Sequence, residues 1–269
     1  MDRWARQFPA LLLASALAIS GCGGAGVGEA ASSTPAGSTS ADPTVSAPPS
    51  APSAASPTPR PTFPANMADQ PEFGHLEQET YYIVPNAIPV RVYFTVPGEG
   101  WVPWIGTYKD EDGAPYRHVG LTIINVWNLV TDGCTTHGRR NPPVGPTVDD
   151  LSTALTELPP FVVTKPPSDV TLAGLSGKHL ELTIPELPVE VDGSGITYPE
   201  CSEGLLKSWI GTPLSYAFSG YTEPGSREDL WILDVDGSRL VVSAIRSPES
   251  PEEDVAELRS LIDSIRIER

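Results

Sequence analysis

The clearest pattern of apolar and polar positions lies near the C-terminus. Two apolar-rich runs, 229–235 and 239–245, flank Asp236-Gly237-Ser238. Asp-Gly between such runs predicts a β-hairpin, because both residues accept the positive φ of a type I′ turn. Ser250-Pro251-Glu252-Glu253 follows. A capping serine, a proline at the first helical position and a glutamate at N3 predict a helix to about residue 262. Its buried stripe is Val255, Leu258, Leu261 and Ile262, and 264–268 reads as a short closing strand.

Upstream, 90–96 alternates, is rich in β-branched and aromatic residues, and ends at Pro97-Gly98-Glu99-Gly100. It reads as a strand, continued at 101–105 and followed by a second at 119–126. Between them Asp110-Glu111-Asp112-Gly113 reads as an acidic turn; it lacks the twelfth-position glutamate of a calcium loop. Thr147 is an N-cap for a helix whose stripe is Val148, Leu151, Leu155 and Leu158, stopped by Pro159-Pro160. Two more strands, 169–173 and 179–184, are expected about Leu175-Ser176-Gly177, and another at 214–218. Strand runs with helices set between them predict an α+β fold, an antiparallel sheet covered by helices.

The N-terminal pattern differs. Arg3 and Arg6 precede an apolar run at 8–20. At about 13 residues it is shorter than the roughly 20 that span a bilayer, and it reads as a secretory segment. It closes on Ile19-Ser20-Gly21-Cys22. Charge, apolar run, small residues and cysteine in that order resemble the lipobox of bacterial lipoproteins. The resemblance implies cleavage before Cys22, a diacylglyceryl group on its thiol, and a place on the extracytoplasmic face of the cell membrane. Two acyl chains anchor stably where one does not. The competing reading is an ordinary signal peptide with Cys22 incidental. Residues 22–70 are dominated by Ser, Pro, Ala, Thr and Gly, too little apolar surface to offset chain entropy, so a disordered tether is expected. Its Ser/Thr-Pro composition matches that of O-glycosylated stalks. The expected organisation is signal peptide 1–21, lipidated cysteine and tether 22–70, and extracytoplasmic domain 71–269.

Composition narrows the partners. Seventeen basic against 34 acidic residues give a net charge of −17. Such a surface repels phosphate backbones, so nucleic acid is not an expected partner. Of three cysteines, lipidation of Cys22 leaves Cys134 and Cys201 to form one disulfide in an oxidising compartment. Cys134 and His137 have zinc-ligand spacing, but His75, His118 and His179 are scattered, and no metal site is expected. The glycine cluster at 23–28 follows no strand, so no cofactor is expected. No Gly-x-Ser-x-Gly elbow occurs; His118 or His179 would need partners brought by the fold, and no catalytic residue is assigned. Trp101, Trp104, Trp209, Tyr216, Phe218 and Tyr221 are candidates for an aromatic platform, the alternative being that most fill the core. The expectation is a monomeric, non-enzymatic lipoprotein head that binds or scaffolds an envelope protein or glycan. A hydrolase with a spatially assembled site and a purely structural envelope lipoprotein are the alternatives.

The order of elements carries a second resemblance. A strand breaking at Val96-Pro97 ahead of Trp101 is followed by a long strand and the helix opening at Thr147-Val148-Asp149-Asp150-Leu151. Antiparallel strands come next, and the chain ends on Leu261-Ile262-Asp263-Ser264-Ile265-Arg266-Ile267. This resembles the PsbP-like α/β/α sandwich, also seen in actinobacterial lipoproteins of the LpqN type. It implies a head that binds or scaffolds proteins, over about residues 80–268. The insert carrying Cys134 and Cys201 departs from the minimal pattern. Likeness of fold does not establish function.

Overall fold

The computed structural model describes residues 64–71, 74–109, 118–192, 195–211 and 223–269. Cys22, the tether to residue 63, the acidic turn at 110–113 and the strand expected at 214–218 lie outside them. The principal elements are Thr80–Ile83 (β1), Arg91–Thr95 (β2), Gly106–Lys109 (β3), Val119–Ile124 (β4), Val148–Thr156 (α1), Val162–Leu172 (β5), Leu175–Thr183 (β6), Arg227–Val235 (β7), Ser238–Arg246 (β8), Glu252–Asp263 (α2) and Arg266–Glu268 (β9).

Asp236 and Gly237 take φ of 51° and 83°, so the Asp-Gly pair closes the β7–β8 hairpin without slack. These strands are the centre of a seven-stranded antiparallel sheet ordered Val102–Pro103, β3, β4, β8, β7, β6, β5. Side chains alternate across it. Leu233, Val235, Leu240, Val242 and Ala244 enter one core, and Leu230, Ile232 and Val241 enter another on the opposite face. Two separate covers are therefore required. The first core is closed by Leu258 and Leu261 of α2 and by Tyr81, Val92 and Phe94 of a second sheet. That sheet has the order Ala65–Asn66, β1, β2, β9. The second core is closed by Leu151 and Leu155 of α1 and by the segment holding the two cysteines. Among the described residues this is an α+β architecture: two principal, mainly antiparallel sheets with two two-stranded ribbons and two α-helices.

The cysteines sit in the second core, joined Sγ to Sγ at 2.09 Å across 67 residues. Backbone pairing flanks them: Ser202 N–H donates to Cys134 O and Lys207 N–H to Gly133 O, and Asn128–Leu129 pairs with Trp209–Ile210. Cys134 is thus spent in the cross-link and is no partner to His137 for zinc.

Several local expectations shift. The β5–β6 turn is Ala173-Gly174, with φ of 50° and 82°, while Leu175, Ser176 and Gly177 lie within the ladder. Gly177 serves close approach: a Cβ there would lie 2.1 Å from Ile232 O. Pro166 and Pro167 are accommodated because β5 is an edge strand with register shifts on either side of Lys165. Thr147 caps α1 as a capping box with Asp150, whereas α2 has Pro251 as N-cap and no side-chain cap. The Ser250 hydroxyl is committed elsewhere, donating to His118 O at 2.7 Å. The domain also starts earlier than residue 71. Ala65–Asn66 pairs in parallel with Tyr81 and Tyr82, and Met67 is buried in the first core.

Replacing Cys134 and Cys201 by Ser is expected to lower unfolding free energy by about 4 kcal/mol, the scale for a loop of this length. Urea denaturation of the double variant measures it, and an unchanged midpoint contradicts it.

Candidate functional site

An apolar cleft of about 490 Å³ opens where the two sheets meet. Its walls include Met67, Ile83 and Val84 on one side and Trp104, Ile105 and Ile123 on the other; among the described residues none that lines it is charged. Trp104 sits at the tip of the tight hairpin formed by Val102–Pro103 and β3. That tip is pressed onto β4: Ile123 N–H donates to Ile105 O at 2.9 Å, and a Cβ on Gly106 would lie 1.8 Å from Leu121 O. Gly106 is thus the residue that lets the hairpin lie flat and hold its tryptophan outward. Trp104 is 60% and Val84 55% exposed, an unusual pairing of large apolar groups in water.

The other candidate aromatics do not join it. Trp101 is wholly buried, its Nε1–H donating to Glu257 Oε2 at 2.8 Å, and Lys109 Nζ donates to the same oxygen at 3.1 Å. Trp209 is buried in the second core. Both are core residues, because sheets covered on two faces need that volume at their ends. Tyr216, Phe218 and Tyr221 lie outside the described residues. Of the predicted platform, only Trp104 is placed at the surface among the described residues. Ile83 and Val84 are not singled out in the sequence, where the first strand expected is 90–96.

Two histidines have carboxylate partners. His118 Nδ1 lies 2.9 Å from Glu223 Oε1 and 2.7 Å from Ser247 Oγ, and Ser247 Oγ donates to Glu223 Oε2 at 3.0 Å. A relay of serine, histidine and acid needs the serine and the acid on opposite ring nitrogens. Here both face Nδ1, so the group orients His118 and does not activate Ser247. It ties the start of β4 to the end of β8. His179 Nε2 lies 2.8 Å from Asp229 Oδ1 and stacks on Trp231 at 4.8 Å between centroids. Beside it Glu181, almost fully buried, accepts from Thr164 Oγ1 at 2.7 Å and Lys165 Nζ at 2.9 Å. Burial pushes both carboxyls up, but Lys165 and Thr164 at Glu181, and His179 and Lys165 at Asp229, outweigh it. Each stays below the ordinary carboxylate range. The hint for this cluster was a charge inside an apolar run, Glu181 between Leu180 and Leu182, which alternation puts on the opposite face.

Glu228 is different. It lies on the face of Leu230, 1% exposed, and accepts from the Ser243 hydroxyl. Burial, opposed by that hydrogen bond, pushes its carboxyl from 4.5 up to about 8.

No known protein family matches the chain, and no curated protein does. A solved structure, that of LpqN involved in cell envelope biogenesis of Mycobacterium tuberculosis, is similar over 71% of this chain and 91% of its own. The identity is 12% and the TM-score 0.36, an overlap on which no functional argument rests.

The proton on Glu228 gives a pH dependence. Its folded pKa lies above its unfolded one, so between the two the native state keeps a proton that the unfolded chain has released. The stability it contributes is full below about pH 4.5 and is lost as pH rises through about 8. Glu228→Gln, which is neutral at every pH, is expected to flatten that decline in urea unfolding followed from acid to mildly alkaline pH. An unchanged slope contradicts the assignment.

Proposed function

We propose that the chain is an extracytoplasmic lipoprotein, held to the cell membrane through acylated Cys22, whose α+β head binds an envelope partner through the Trp104 cleft and performs no chemistry of its own. The observation that carries the reading is the cleft itself. Trp104 and Val84 stand in water on a rigid hairpin and strand end, at a recess whose described lining is uncharged in a strongly acidic protein. An apolar recess with an exposed aromatic anchor is the usual centre of a protein-recognition surface. The compartment is supported by the lipobox residues Ile19-Ser20-Gly21-Cys22 and by the Cys134–Cys201 disulfide, a bond that persists outside the cytoplasm. Among the described residues no helix is long and apolar enough to cross a membrane, so attachment is assigned to the lipid. The composition of residues 23–63 suits a leash, with a coil dimension of about 40 Å.

Two outcomes test this reading. Cys22→Ser is expected to move the protein from the membrane pellet to the soluble fraction; an unchanged distribution removes the anchor. Trp104→Ala is expected to weaken retention of envelope components by the immobilised head by about tenfold or more, as loss of a central aromatic contact does. Equal retention by both heads contradicts the cleft, and turnover of an ester or glycoside panel by the wild-type head would replace binding with hydrolysis.

A further inference from the structure

Arg227 and Arg246 are directly opposite one another on β7 and β8. Residues so paired in an antiparallel ladder project from the same face, and like charges there destabilise the sheet. Glu181 offsets this only in part. Arg246 Nη2 lies 3.4 Å from its Oε2 and Arg227 Nη1 4.0 Å from its Oε1, while Lys165 Nζ already holds Oε2 at 2.9 Å. Among the described residues, neither arginine has another hydrogen bond or ion pair. Each planar fork carries five donors, so most of both sets have no partner among the described residues, although the Arg246 charge also helps hold Asp229 ionised. The forks reach solvent, with Arg227 55% and Arg246 29% exposed at the side chain.

The local charge is also unlike that of the whole molecule. Among the described residues of the cluster, Lys165, Arg227 and Arg246 outnumber Glu181 and Asp229, leaving a positive surplus on a chain of net charge −17. The carboxylates lie on the inner side of the cluster, and Glu181 is 2% exposed. A pair of solvent-facing guanidinium forks about 5 Å apart at their backbones, steadied from below by the buried Glu181, is the recognition geometry of a multivalent oxyanion.

We propose that Arg227 and Arg246 form a binding site for a phosphate group, with Lys165 beside them. A carboxylate has two oxygens and satisfies one fork. A phosphoryl group presents more and can accept from both forks at once, which also neutralises their mutual repulsion. The site lies on β7 and β8 and shares no residue with the Trp104 cleft, so it stands whether or not the cleft binds a partner. Such a group is carried by a lipid headgroup or by a soluble phosphorylated molecule, and the experiment separates them.

The chain carrying Cys22→Ser is titrated with inorganic phosphate at constant ionic strength while the arginine side-chain nitrogen resonances are followed. Saturable shifts of Arg227 and Arg246 are expected in a range of about 1 mM. Arg227→Ala and Arg246→Ala are each expected to weaken binding by about fivefold or more, and Arg227→Lys to restore it only in part, because it returns the charge without the fork. Among the described residues Arg227 makes one distant ion pair, so its variant keeps the test open if Arg246→Ala fails to fold. Vesicles of phosphatidylglycerol against phosphatidylcholine form one arm and soluble glycerol phosphate the other. Arginine-dependent binding to either supports the site and names its source. Shifts that do not saturate, or that persist in Arg227→Ala, overturn it.

Discussion

The structure depends on a hairpin that is apolar on both faces. β7 and β8 carry Leu230, Ile232 and Val241 to one side and Leu233, Val235, Leu240 and Val242 to the other, so no single layer can bury them. Each buried aliphatic side chain contributes on the order of 2 kcal/mol when withdrawn from water. Covering one face and leaving the other wet would forfeit that gain along the whole hairpin. The remaining elements are arranged as two lids. The four-stranded sheet and α2 close one side, and α1 with the disulfide-linked segment closes the other.

What is chemically distinctive lies where those lids end. The Trp104 cleft is lined by Ile83 from the smaller sheet and Ile123 from the larger, so it marks the seam between them. The charged groups occupy the far ends of the central strands, where apolar cover gives out and buried acids must be matched. Lys109 joins Asp254 at 2.6 Å and Glu257 at 3.1 Å, fixing α2 to β3, and Lys165 does the same for Glu181 between β5 and β6. A buried carboxylate is costly unless hydrogen-bonded, and these networks supply the donors. Glu228 takes the other route and keeps its proton.

Much of this was legible in the residues, wherever local chemistry decides. Asp236-Gly237 named its turn, Thr147 its helix, and two cysteines in the head named their cross-link. Sequence reasoning failed where spacing had to stand for space. Leu175-Ser176-Gly177 looks like a turn because it holds a glycine, yet that glycine serves contact with Ile232, and Ala173 takes the positive φ instead. Ser250 has the form of a cap, but His118 O, brought close by β4, takes its hydroxyl. Trp101 and Trp104 are three residues apart and alike in composition. One is core and the other solvent because a hairpin turns between Pro103 and Thr107.

The most direct measurement places a photo-activated crosslinking residue at position 104 of the full lipidated chain in growing cells. The account predicts a discrete adduct that sediments with the envelope, absent when the same residue replaces exposed Asp169. Membrane-bound protein that yields no adduct from position 104, or the same adducts from both positions, would contradict it.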